Sequence, residues 1–85
     1  MVLEIYYKKD EEEVSKTYAL DDIYAEFIRQ YYLLKSIKAV FSLVIKNDSE
    51  YLVRLNYTKD VKMFAINQAS TPHHKAHYIQ EHIYN

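Results

Sequence analysis

Eighty-five residues carry eleven basic and twelve acidic side chains, for a formal net charge of −1. That balance lacks the one-sided positive excess of a phosphate-seeking surface. The absence of cysteine removes disulfides, thiolate nucleophiles and Cys-based zinc sites, while the absence of glycine argues against phosphate-cradling loops and nucleophile elbows. A chain of this length is expected to form one domain, over residues 1–85, burying about 60 to 65 % of its unfolded surface.

The opening MVLEIYYKKDEEE has no basic segment leading into an apolar run, so no secretory signal is expected. The longest apolar-rich stretch, 37–45, is interrupted by Lys38 and Ser42 and falls far short of the roughly 20 residues of a spanning helix. The expectation is a cytoplasmic protein without membrane contact.

In chain order, residues 2–8 put Leu3, Ile5 and Tyr7 on one side and Glu4, Tyr6 and Lys8 on the other, the period of a strand. DEEE at 10–13 reads as a solvated turn, and 14–20 as the return strand of a hairpin. Leu20, Ile23, Tyr24, Phe27, Ile28, Tyr31 and Leu34 then follow helical spacing, with Asp21 and Asp22 at the positive N-terminal end. Residues 37–45 return to alternation and are apolar on both sides, as in a central strand. The turn at Asn47 and Asp48 leads to a strand from Tyr51 to Tyr57, and a turn at 58–60 leads to a shorter strand from Val61 to Ile66. Thr71 is placed to cap a last helix that begins with Pro72. The order β-β-α-β-β-β-α predicts an α+β fold, with an antiparallel sheet of four or five strands and an amphipathic helix on one face.

The other face would then carry Val40 and Val44, joined by some of Leu52, Phe64 and Ile66. The C-terminal helix is expected to cover it through Ala76, Ile79 and Ile83, the alternative being a second copy.

The four histidines all fall in TPHHKAHYIQEHIYN. His73 and His77 are one turn apart and can share a metal ion. Glu81 lies eight residues beyond His73, about 12 Å along a helix, so it cannot complete a site with that residue, and no Glu follows the first His. A solvated polar face is the stronger reading, and no cofactor is expected. His73 and His74 would sit in the first turn, where the macrodipole opposes positive charge, so acid is expected to loosen this helix.

Ten tyrosines beside scattered lysines suggest base stacking, yet acidic residues interrupt each basic stretch and Arg29 and Arg54 are the only arginines. Tyrosine serves equally well as interface area. No serine stands in a recognisable relation to a histidine and an acid, and no carboxylate pair is spaced for acid–base work on one element, so the chain is expected not to be an enzyme. The codon bias implied by abundant Lys, Tyr and Ile suggests a phage or mobile-element accessory protein that inhibits or modulates a host nucleic-acid-processing or defence complex. Its protein contacts are expected at Glu11, Glu12, Glu13, Asp21, Asp22, Tyr31 and Tyr32, in a monomer or homodimer. The alternatives are a nucleic-acid-binding module and a metal-binding protein.

Overall fold

The alternating and helical periods sort the chain into the expected order. The computed structural model describes residues 1–84 and contains β1 (Val2–Lys9), β2 (Glu12–Tyr18), α1 (Ile23–Ser36), β3 (Val40–Asn47), β4 (Glu50–Thr58), β5 (Val61–Ile66) and α2 (His73–Ile83). The strands form one sheet in the order β2-β1-β3-β4-β5, and every neighbouring pair is antiparallel. No helix among the described residues is long and apolar enough to cross a membrane.

The turns manage without glycine by placing other residues in the left-handed region. Asp10, Asp48, Lys59 and Asp60 have φ of 56°, 56°, 42° and 70° in the three hairpin turns. Asp and Asn accept this conformation more readily than most residues. Lys38, at φ 59°, ends α1: its N–H donates to Lys35 O at 3.0 Å and that of Ala39 to Leu34 O at 3.1 Å. This is the Schellman geometry that usually takes glycine.

Several element boundaries differ from expectation. β2 ends at Tyr18, and β3 starts at Val40 and not at residue 37, because Ile37 caps α1 and Lys38 turns the chain before the ladder begins. Glu12 and Glu13 belong to β2, leaving Asp10 and Glu11 as the turn, because Lys9 and Lys8 pair with them across the ladder. Asp22 caps α1 by accepting from Ala25 N–H at 3.1 Å, so Leu20 lies outside the helix and is exposed.

The larger correction concerns α2. It lies beside α1 on the same sheet face, not on the opposite one: Ile79 and Ile83 are fully buried in the same core as Phe27, Leu43, Val53 and Leu55. The two helices run parallel, since Lys75 sits over the Tyr24 ring at 5.4 Å and Tyr32 donates to His82 O at 3.2 Å.

A bulge explains why this face needs two helices. Ile45 pairs with Val53 while Lys46 pairs with Tyr51, so Leu52 is an extra residue, and both Leu52 and Val53 are buried. Phe64 and Ile66, opposite Leu55 and Val53, also pack against this core. α1 lies over β1 and β3, whereas the C-terminal end of α2 meets β5, where Lys62 donates to Ile83 O and Phe64 stands edge-on to Tyr84. Thr71 does not cap α2. Its hydroxyl is buried and donates to Leu52 O at 3.1 Å, and Pro72 occupies the cap position without a side-chain bond.

Candidate interaction surface

With both helices on one side, the outer face of the sheet stays uncovered. The ladders define its rows. Tyr6, Ser42, Asn56 and Met63 lie side by side across four strands, and Glu4, Val44, Arg54 and Ala65 form the adjacent row. Lys8 and Val40 lie opposite each other one step beyond the first row, and Lys46 lies beyond the second.

The polar groups here are tied locally. Tyr6 Oη donates to Glu13 at 2.7 Å, and this bond to a carboxylate raises the phenol above its usual pKa. Lys46 Nζ stands 3.8 Å from Glu4, and the Arg54 guanidinium lies 4.5 Å from the centre of the Tyr51 ring. Charges of both signs thus border the apolar groups Val40, Val44, Val61 and Met63. A shallow cavity of about 300 Å³ runs along Glu4, Tyr6, Ser15, Thr17, Ser42 and Val44. At the end of the sheet where α1 terminates, Lys35, Lys38, Lys59, Asp60 and Tyr57 line a concavity of about 480 Å³.

On the helical side, Tyr32, Tyr78 and His82 form an aromatic seam between α1 and α2, with ring centroids 6.1 Å and 5.0 Å apart. Tyr24 is buried beneath α2. Its hydroxyl is the one buried side-chain polar atom without a hydrogen bond among the described residues, and burial raises its pKa.

The expected contact residues are not brought together. Glu11, Glu12 and Glu13 sit at the β1–β2 turn, and Asp21 and Asp22 lie past the far end of β2, as the length of an extended strand requires. Tyr31 is a correction: it is 1 % exposed, edge-on to Phe41 at 6.1 Å, and is core rather than contact surface. Tyr32 is exposed at the seam. His73 and His77 are exposed on α2, and His77 Nε2 stands 2.9 Å from Glu81. Among the described residues no group of three or more His, Cys, Asp or Glu side chains is arranged to hold a metal ion. Val40 and Val44 lie on the outer face as expected, but Leu52, Phe64 and Ile66, expected beside them, pack against the core on the covered side, and Val61, Met63 and Ala65 of β5 face outward instead. No protein-family model, curated protein or solved structure matches this chain.

Proposed function

We propose that this chain is a non-enzymatic interaction protein that binds a protein partner through the uncovered sheet face. One observation carries the reading: neither helix covers a face on which Val40, Val44 and Met63 are bordered by Glu4, Lys46 and Arg54. Apolar area with a polar rim is the anatomy of a protein interface, whereas a nucleic-acid surface needs charge of one sign. Residue usage rich in Lys, Tyr and Ile supports a phage or mobile-element accessory factor that acts on a host complex by occupying it.

The test compares tagged chains recovered from their own cells by native mass spectrometry. The original chain and a Leu33→Gln control on the helical side should carry the same protein in fixed ratio, while Val44→Asp should lose it at least tenfold. Retention by a folded Val44→Asp chain, or recovery of nucleic acid alone, overturns the reading.

A further inference from the structure

β5 closes one side of the sheet and gathers the most exposed large apolar side chains. Met63 is 66 % exposed and Val61 59 %, and Tyr84, edge-on to Phe64 at 5.3 Å, is 63 %; the next, Met1, is 53 %. The opposite edge, β2, reads EEVSKTY and carries charges along its length, a common protection of free edges. β5 reads VKMFAI. Its single charge, Lys62, lies over the Tyr84 ring and donates from Nζ to Ile83 O.

The backbone of this edge has a definite parity. Asn67 N–H donates to Leu52 O at 2.8 Å, and antiparallel ladders alternate, so Ala65, Met63 and Val61 exchange hydrogen bonds with β4. Lys62, Phe64 and Ile66 therefore turn their N–H and C=O groups outward.

We propose that β5 pairs antiparallel with β5 of a second copy of this chain about a two-fold axis, joining two sheets into one. A two-fold requires a strand to complement itself, and this one does in the register that sets Phe64 opposite Phe64 of the second copy. Every outward-pointing residue then finds a partner: Lys62 meets Ile66 of the second copy, and Ile66 meets its Lys62. Shifting the register by one pair in either direction leaves one of them unpaired. No like charges oppose each other, because the one charged residue of β5 faces an isoleucine. On the outer face Met63 meets Ala65 of the second copy, so the two uncovered faces become one continuous surface. The pairing is independent of the partner-binding reading, and each fails on its own test.

The test uses the full chain. Light scattering with size exclusion should give two 10.2 kDa chains per particle. Met63→Asp places two carboxylates diagonally across the seam, about 7–8 Å apart, and should weaken association at least tenfold while circular dichroism stays unchanged. The cysteine-free background allows a second measurement. Non-hydrogen-bonded pairs bring Cα atoms to about 4.5 Å, within disulfide reach. Oxidising a mixture of Met63→Cys and Ala65→Cys chains should therefore yield a mixed covalent dimer in preference to either homodimer, and this decides the matter even where Met63→Asp fails to fold. A single-chain particle at every concentration, or a dimer that lacks this preferential cross-link, overturns the proposal. A foreign strand on β5 would give the first result and pairing through another surface the second.

Discussion

The two faces of the sheet are made by alternate residues of the same strands, yet they differ in almost everything that governs stability. On β3, Phe41, Leu43 and Ile45 are at most 2 % exposed, and α1 lies over them. Ser42 and Val44, one residue away, look out from the uncovered side with Tyr6, Asn56 and Arg54 as neighbours. The difference teaches where folding energy and binding capacity reside in so small a domain. One face holds the core, and the other is left available because, among the described residues, both helices pack on the first face.

Substituting adjacent residues breaks this comparison most severely. Leu43→Ala removes a fully buried side chain from the centre of the core and should cost about 2–5 kcal/mol. Val44→Ala, its neighbour in sequence, should cost less than about 1 kcal/mol, as surface changes do. Urea unfolding of the two variants measures the contrast; similar losses would mean that the outer face is also covered in solution.

A smaller effect concerns the seam between α2 and β4. Leu52 O accepts from both the buried Thr71 hydroxyl at 3.1 Å and the Asn67 N–H at 2.8 Å. Thr71→Val keeps the shape and loses one of these bonds, so about 1 kcal/mol of stability should disappear while Thr71→Ser retains most of it. An equal loss in both variants would assign Thr71 a packing role instead.

The covered face was only partly legible in the sequence. Period-two alternation over 37–45 announces two apolar faces, and helical spacing announces α1, so the fold class and element order follow from pattern alone. Alternation cannot say which face receives a second helix, because that depends on the Leu52 bulge, which adds one buried apolar residue to the inward side of β4. Thr71 followed by Pro72 has the pattern of a helix cap, but a buried carbonyl on β4 claims the hydroxyl. Tyr31 belongs to the same helical stripe as Phe27 and Leu34, and that stripe, not its tyrosine chemistry, decides its place. The uncovered surface was least legible: its residues come from four strands and meet only through register.

Lys38 sets the phase of β3, since its left-handed turn sends Ala39 inward and leaves Val40 exposed. A residue with a Cβ pays about 1–2 kcal/mol to hold that conformation. Lys38→Gly should therefore stabilise the domain by about 1 kcal/mol in urea unfolding, less than the full strain because glycine gains entropy in the unfolded chain. Unchanged or lower stability would place the strain elsewhere.

The smallest contrast is electrostatic and compares one carboxylate from each side. Glu26, on α1, accepts from Arg29 Nε at 3.1 Å and from the buried Gln30 at 2.7 Å, and the hydrogen bonds from Arg29 hold its pKa below the ordinary carboxylate value. A carboxyl with a lowered folded pKa stabilises the fold fully above its unfolded pKa, about 4.3, and loses that contribution as pH falls through the folded value. Glu26→Gln should thus be less stable than the original chain at pH 7, and the gap should close on acidification. Glu4, on the uncovered face, stands 3.8 Å from Lys46 in an exposed pair that solvent screens, so Glu4→Gln should change stability little at either pH. Unfolding free energies of the three chains at pH 7 and near pH 3 test both statements. A gap for Glu26→Gln that does not narrow in acid would show that the glutamine, and not the lost charge, destabilises the helix.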